Sequence, residues 1–170
     1  FTGLHGRSVP VAQAIHLANH DLHTLVFSGD GDMYGEGGNH LLQLFRRNAD
    51  ITVFVHNNGV YGLTKGQYSP TSPRGFTSPT SPRPTGAPEI ALNPLAFALS
   101  AGATFVARTF AGDVRHMVEM MKAAIQHRGT GYVDILQPCV TYNKNYSYDF
   151  YRPRVYKLEE TEHDPTDRTA

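Results

Sequence analysis

The sequence has very little cysteine, no excess of either charge and no long hydrophobic run. Cys139 is the one cysteine in 170 residues, so no intrachain disulfide can form and nothing favours an oxidising compartment. Lys plus Arg and Asp plus Glu both number 15, which argues against a broad surface for nucleic acid or an anionic membrane. The apolar runs are too short to span a membrane, and no signal-peptide pattern opens the chain. We therefore expect a protein that binds neither nucleic acid nor a membrane.

The chain has the size of a single domain and begins at Phe1 rather than Met. Hydrophobic residues make up 40% of the sequence, which is enough for one packed core. We interpret the missing initiator methionine as the mark of a fragment or a processed product.

Short β-rich runs alternate with helical patterns along the chain. Several of these runs are apolar almost throughout, as is typical of parallel strands covered on both faces. The predicted strands are residues 23–29, 51–57, 103–110 and 132–138. Predicted helices run from Pro10 to about Asn19, around residues 41–45, over 94–101, and after an N-cap at Asp113. This alternation predicts an α/β fold, a three-layer α/β/α domain with a mainly parallel sheet.

Two stretches break the alternation. Residues 67–89 contain six of the eleven prolines, which excludes a central strand or helix and predicts a long Pro/Ser/Thr-rich loop, either a lid, a binding loop or an insert. From Tyr142 onward the chain carries five tyrosines and then an acidic end. We predict a domain over residues 1–141 and a C-terminal tail over 142–170 that wraps over another surface; a frayed terminus is the alternative.

Glycines and carboxylates lie together where the first strand runs into a helix. Glycine there lets a backbone approach a phosphate, and the helix N-terminus favours an anion. The spacing of Gly29, Gly31 and Gly35 is not that of a dinucleotide fingerprint, and the carboxylates of Asp30 and Asp32 would repel a bare diphosphate. A divalent cation between carboxylate and diphosphate removes this conflict, and Mg²⁺ is the hard, oxygen-binding choice.

A second ligand is expected at the end of the next strand. Asn58 lies 28 residues beyond Asp30, about the length of a strand–helix–strand unit, so both residues fall at carboxyl ends of strands, where open α/β sheets bind ligands. The Asp30 carboxylate, the Asn58 amide oxygen and a nearby backbone carbonyl can supply three ligands. Two diphosphate oxygens and a water complete an octahedron.

A set of motifs resembles one family closely. Glycine-aspartate-glycine followed by asparagine-asparagine resembles the thiamine diphosphate motif, and the wider set resembles the β subunit of 2-oxoacid:ferredoxin oxidoreductases from about His5 to Asp167. The motifs are HGR at 5–7, GDGD at 29–32, GNH at 38–40, RRN at 46–48, ITVFVHNNGVYGLTKGQYSPT at 51–71, GATFVAR at 102–108 and QPCVTYNK at 137–144. Tyr34-Gly35-Glu36 is less typical, because small or apolar residues are usual there.

The resemblance implies a thiamine diphosphate-binding fold and a set of site residues. It implies that Asp30, Asn58 and the carbonyl of Val60 ligate Mg²⁺. The cofactor-binding positions that it implies are His5, Gly29, Asp30, Gly31, Asp32, Asn39, His40, Asn58, Val60, Tyr61, Gly62 and Leu63. The implied chemistry is oxidative decarboxylation of a 2-oxoacid, with electrons passing through iron–sulfur clusters to ferredoxin and the acyl group passing to coenzyme A.

Two residues of the loop after the metal ligands are implied to act in catalysis. The form YGLTKGQ resembles the members that use 2-oxoglutarate. Our hypothesis is that Lys65 contacts the distal carboxylate of 2-oxoglutarate and that Leu63 shapes the pocket. A solvated loop lysine without function is the alternative.

Cys139 resembles the fourth ligand of a [4Fe–4S] cluster whose other cysteines lie upstream of this chain; a buried structural cysteine is the alternative.

No residue matches the glutamate that activates thiamine diphosphate, so the resemblance implies an α subunit that completes the active site. It also implies a cytoplasmic, low-oxygen setting. A non-redox thiamine diphosphate decarboxylase or carboligase and a non-catalytic truncated subunit remain as alternatives. His16 and His20 have the i, i+4 spacing of a metal pair but no third ligand.

Overall fold

A parallel four-stranded sheet forms the centre of the computed structural model, which describes residues 3–80 and 84–167. The strands are β1 Thr24–Gly29, β2 Ile51–Asn57, β5 Phe105–Phe110 and β6 Gly131–Leu136, in the spatial order β1-β2-β6-β5. All three neighbouring pairs are parallel, with Thr24 opposite Ile51, and with both Thr52 and Phe105 opposite Gly131. A separate antiparallel pair, β3 Val60–Tyr61 and β4 Gln67–Tyr68, follows β2.

Helices cover both faces of this sheet. The helices are α1 Ser8–Ala18, α2 Gly38–Arg47, α3 Pro94–Ser100, α4 Val114–Gln126 and α5 Tyr148–Tyr151. On one face, α1, α2 and α3 pack on the sheet through residues such as Val9, Leu41 and Ala98, one from each helix. On the other face, α4 packs its methionines against Phe54, Val133 and Ile135. The predicted three-layer α/β/α fold is therefore confirmed.

Several predicted boundaries differ from the observed ones by one or two residues. Helix α1 begins at Ser8, two residues before Pro10, and β5 begins at Phe105, two residues after the predicted start. The Asp113 side chain caps α4 by accepting a hydrogen bond from the His116 N–H at 3.1 Å. No helix of the described residues is long and apolar enough to cross a membrane.

Strand β1 departs from the expectation that both faces are covered. Val26 is buried, but Leu25 is 41% and Phe27 is 55% exposed. Phe27 lies beside Phe54, on the face of the sheet that α4 covers. Helix α4 packs on β5, β6 and β2, and a single helix is too narrow to reach the edge strand as well.

The proline-rich loop and the tail both pack on the domain. In the loop, Phe76 and Ala87 are buried together with Val60, and Cys139 and Tyr146 pack against them. The tail places Tyr148 and Tyr151 against Phe110. It also places Lys157 beside Asp113 and Glu159 beside His116. The predicted division at residue 141 stays a prediction.

Candidate active site

Asp30 is the centre of a polar cluster at the carboxyl end of β1. Its side chain is 1% exposed. The Ser69 and Thr71 hydroxyls lie 2.5 and 2.6 Å from its Oδ2 atom, and the Asn58 N–H donates to Oδ1 at 3.4 Å. No cationic side chain contacts Asp30 within the described part of the chain. Among the described residues, this carboxylate is therefore buried with hydrogen bonds but without a countercharge.

Burial dominates the electrostatics of Asp30. Removal from water raises the pKa of its carboxyl, and the hydrogen bonds from Ser69, Thr71 and Asn58 counteract only part of that rise. A buried carboxylate is costly unless it is paired or coordinates a metal. The carboxylate oxygens of Asp30 and the side-chain amide oxygen of the neighbouring Asn58 are the kind of ligand that a hard cation such as Mg²⁺ prefers.

The segment after Asp30 forms a π-helical turn over Gly31–Glu36 before α2 begins. A Cβ atom on Gly31 or Gly35 would meet side-chain atoms of Tyr61 at less than 3.0 Å. The Tyr61 hydroxyl also donates to the Gly31 carbonyl at 3.0 Å. These two glycines therefore make room for Tyr61, whereas Gly29 and Gly62, which line the cavity, have no atom within 4 Å of an added Cβ and leave open space for a ligand.

Asp32 faces the segment before α1. Its Oδ1 accepts a hydrogen bond from the Gly6 N–H at 2.8 Å and lies 3.4 Å from His5 Nδ1, and its Oδ2 accepts one from the Ser28 hydroxyl. In this structure the Asp32 carboxylate therefore fixes the HGR segment beside the site. Its predicted contact with a cofactor stays a prediction.

Asn58 and Val60 follow β2 directly, beside Asp30. The Asn58 Oδ1 accepts a hydrogen bond from the Val60 N–H at 3.0 Å, which closes a tight turn through Gly59 at φ +71°. The Asn58 carbonyl accepts one from the Asn143 amide at 3.0 Å. The structure thus brings the three residues predicted to hold the metal next to one another, and their role as ligands stays a prediction.

A buried network beneath these residues was not predicted from the sequence. Asp134 is fully buried and accepts hydrogen bonds from the Tyr34 hydroxyl at 2.7 Å and from Asn57 Nδ2 at 3.1 Å. Arg108 Nε and Nη2 both lie 2.8 Å from its other oxygen. Thr71 joins this network to Asp30, because its hydroxyl lies 2.9 Å from Asn57 Oδ1. The one available signal was an aspartate inside an apolar strand.

A cavity of about 580 Å³ opens beside Asp30. Gly29, Asn58, Val60, Tyr61, Gly62 and Leu63 line it, together with His5, α1 and the free edge of β1. Leu63 is 90% exposed at the mouth. Lys65 is exposed in the turn between β3 and β4 and has φ +63°, an uncommon value outside glycine, but it does not line the cavity. Asn39 and His40, in the first turn of α2, do not line it either.

Cys139 is half-buried just beyond β6, packed against the apolar cluster that holds Val60. Its Sγ accepts a hydrogen bond from the Tyr142 N–H at 3.2 Å. Among the described residues no group of three or more His, Cys, Asp or Glu side chains could hold a metal ion. A cluster ligated by Cys139 therefore needs its other ligands from elsewhere.

The imidazole rings of His16 and His20 contact each other edge to face, with their ring centroids 4.7 Å apart.

Two family models cover nearly the whole chain. Residues 1–135 match the thiamine pyrophosphate enzyme, C-terminal TPP-binding domain. Residues 139–170 match the C-terminal part of the pyruvate ferredoxin oxidoreductase beta subunit. The 2-oxoacid:ferredoxin oxidoreductase subunit beta of Saccharolobus solfataricus is 51% identical over 92% of this chain and 51% of its own length. The chain belongs to the β subunits of the 2-oxoacid:ferredoxin oxidoreductases.

Further relatives of this β-subunit chain include 2-oxoglutarate enzymes. The 2-oxoglutarate oxidoreductase subunit KorB of Mycobacterium tuberculosis is 45% identical over 89% of the chain and 40% of its own length. The solved 2-oxoglutarate:ferredoxin oxidoreductase of Magnetococcus marinus, with 2-oxoglutarate, coenzyme A and succinyl-CoA bound, has a TM-score of 0.93 and 44% identity, covering 98% of this chain and 56% of that one. These matches confirm the resemblance inferred from the motifs.

A more distant structure shares the fold alone. The thiamine diphosphate-dependent 4-hydroxybenzoylformate decarboxylase of Rhodococcus jostii has a TM-score of 0.56 and 18% identity, covering 78% of this chain and 23% of that one. The chain spans about half the length of the curated relatives that it matches.

Proposed function

We propose that this β-subunit chain binds the diphosphate of thiamine diphosphate through Mg²⁺, as part of an enzyme that oxidatively decarboxylates a 2-oxoacid. The observation that carries the proposal is Asp30, a buried carboxylate without a cationic partner among the described residues, on the wall of a cavity. The proposed ligands are its carboxylate, the Asn58 amide oxygen and the Val60 carbonyl. Mg²⁺ is usually bound through one or two carboxylates together with phosphate oxygens and water, and Asp30 supplies the carboxylate here.

The residues around these ligands are proposed to shape the cofactor site. Gly29 leaves space for the diphosphate, because an added Cβ there meets no atom within 4 Å. Tyr61 packs over the π-helical turn, and Asp32 holds the segment of His5, so both keep the cavity wall in place. The other cofactor-binding positions in the proposal are Gly31, Asn39, His40, Gly62 and Leu63.

The rest of the reaction needs groups outside this chain. Bound thiamine diphosphate supplies the nucleophilic carbon and the electron sink for decarboxylation. We propose that an α subunit supplies the glutamate that activates the cofactor, since no residue here matches that motif. Electrons would then leave through iron–sulfur clusters to ferredoxin, coenzyme A would accept the acyl group, and the enzyme would work in the cytoplasm.

Lys65 is proposed to select 2-oxoglutarate. It is an exposed cation in the turn that follows the metal ligands, and Leu63 of the same turn lies at the cavity mouth. An ammonium group can bind the distal carboxylate that 2-oxoglutarate has and pyruvate lacks. Support for this substrate comes from the 2-oxoglutarate enzymes among the relatives.

The experiment compares Lys65→Ala with Lys144→Ala, a change at another exposed lysine, in the full-length subunit with its partner. Dye reduction is followed with 2-oxoglutarate and with pyruvate, in the presence of coenzyme A and without oxygen. A charged hydrogen bond contributes about 1.5–3 kcal/mol, so we expect Lys65→Ala to lower the 2-oxoglutarate-to-pyruvate ratio of kcat/KM roughly 10- to 100-fold. Lys144→Ala leaves that ratio unchanged. An unchanged ratio in both variants contradicts the proposed role.

Cys139 is proposed as one ligand of a [4Fe–4S] cluster. Its partial burial and the N–H···S hydrogen bond from Tyr142 resemble the surroundings that tune cluster thiolates. In the full-length subunit, Cys139→Ser should remove the visible absorption and most of the iron of that cluster. Normal iron content in the variant would favour a non-redox decarboxylase or carboligase. Absence of turnover despite bound thiamine diphosphate, Mg²⁺ and iron would favour a non-catalytic subunit.

A further inference from the structure

The residues that we propose as metal ligands lie in a short loop whose backbone is held from outside. We call residues 58–60 the metal loop. Asn143, in the segment that follows Cys139, donates a hydrogen bond from Nδ2 to the Asn58 carbonyl at 3.0 Å. The Ser72 hydroxyl donates to the Gly59 carbonyl at 2.5 Å. Two successive peptide groups are thus oriented by side chains from two distant parts of the chain.

The packing of Asn143 against the metal loop is close. Asn143 is 1% exposed, although its neighbours Tyr142 and Lys144 are exposed. A Cβ atom on Gly59 would lie 3.1 Å from Asn143 Nδ2, and Gly59 has φ +71°. The loop therefore approaches the amide about as closely as a glycine allows.

The two ends of the Asn143 amide are not equally satisfied. Its Oδ1 is buried and has no hydrogen-bond partner among the described residues. A buried acceptor without a donor opposes folding, and this offsets the stability gained from the Nδ2 hydrogen bond. Folding stability alone therefore gives no strong reason for an asparagine here, whereas orientation of the Asn58–Gly59 peptide does.

We propose that Asn143 is a positioning residue that holds the metal loop for Mg²⁺. The inference rests on the proposed function, since residues 58–60 matter in this way only if they bind the ion. Asn143 does not touch the cofactor; it acts through the Asn58 carbonyl. Since Asn143 lies four residues beyond Cys139, the segment proposed to bind the cluster also holds the metal loop.

The test uses the full-length subunit with its partner and three variants. Asn143→Ala removes the amide, Asn143→Leu removes it while keeping much of the side-chain volume, and Asn145→Ala is the control, because Asn145 is exposed in the same segment. Two quantities are measured: hydrogen exchange at residues 58–60 in the metal-free protein, and the Mg²⁺ concentration that gives half-maximal thiamine diphosphate binding by calorimetry. Iron content is followed in parallel.

In both Asn143 variants we expect faster exchange in the metal loop and a rise of about tenfold or more in that Mg²⁺ concentration, as is typical when a ligand loses its supporting contact. Iron content and the Asn145→Ala values stay as in the wild type. If the wild type binds Mg²⁺ and thiamine diphosphate and both Asn143 variants require the same Mg²⁺ concentration, the inference alone is overturned. If the wild type itself shows no Mg²⁺-dependent binding, the proposed function falls and the inference falls with it.

Discussion

Two clusters of polar side chains lie at opposite ends of the sheet and differ in charge. At the amino end, Asn48 Oδ1 accepts hydrogen bonds from the Thr130 N–H at 2.9 Å and the Thr104 hydroxyl at 2.7 Å, and that hydroxyl also lies 2.8 Å from His127 Nε2. At the carboxyl end lie two buried carboxylates, Asp30 and Asp134. Arg108 pairs with Asp134, but no cationic side chain among the described residues pairs with Asp30.

This difference separates a structural cluster from a candidate site. The side chains of the amino-end cluster form hydrogen bonds with one another and link the starts of neighbouring strands. They are neutral donors and acceptors that need no bound ion. The carboxyl end has more buried negative charge than the residues of 3–80 and 84–167 compensate, and it borders the cavity. A buried charge that lacks its partner is a feature that a bound cation would explain.

The largest effect is expected from Arg108→Met. This change removes the cation paired with Asp134, whose side chain is fully buried, while the apolar stem of the residue is kept. Because an unpaired buried carboxylate remains, we expect the free energy of unfolding to fall by about 3–5 kcal/mol. Urea denaturation without Mg²⁺ measures this. A loss under about 1 kcal/mol, the net value of one ordinary hydrogen bond, would mean that Tyr34 and Asn57 suffice for Asp134.

Asp30→Asn and Asn48→Ala should act in opposite ways. The neutral amide at position 30 removes the cost of burying a charge, so we expect unchanged or higher stability without the ion. We also expect Mg²⁺-dependent thiamine diphosphate binding at least about 100-fold weaker, or roughly 2.7 kcal/mol. Asn48→Ala should cost about 1 kcal/mol of stability and leave that binding unchanged. Calorimetry measures the affinity for thiamine diphosphate, and urea denaturation measures the free energy of unfolding. If Asp30→Asn bound thiamine diphosphate as tightly as the wild type, the carboxyl-end cluster would not differ from the amino-end cluster in binding the ion.

A smaller effect compares two glycines at the carboxyl end. In Gly31→Ala the new methyl group meets the Tyr61 ring at less than 3.0 Å, and such overpacking typically costs about 1–3 kcal/mol. In Gly29→Ala it meets no protein atom within 4 Å, so stability should hardly change while thiamine diphosphate binding weakens. Thermal melts with and without the cofactor distinguish the two. Equal cofactor affinity in Gly29→Ala and the wild type would show that the diphosphate does not pass over Gly29.

Much of the fold was predictable because its signals are local. The apolar run of β2 was predicted with its observed ends, and the α4 cap at Asp113 follows from a side chain and a backbone N–H three residues apart. The exposed face of β1 was not predictable in this way, since Leu25 and Phe27 read as buried residues and only the reach of α4 leaves them uncovered.

The features of the site also separate into those set by local signals in the sequence and those set by tertiary packing. The sequence by itself determined that Asp30 and Asn58 lie at carboxyl ends of strands, because strand ends and spacing are local properties of the chain, and its motifs determined the family. Only the tertiary structure decided that Ser69 and Thr71 of the proline-rich loop hold Asp30, that Asp134 with Arg108 supports Asn57, and that Asn143 holds the metal loop. Those contacts join residues up to 85 positions apart, and their pairing depends on how loops pack around a buried charge, which no periodicity along the chain encodes.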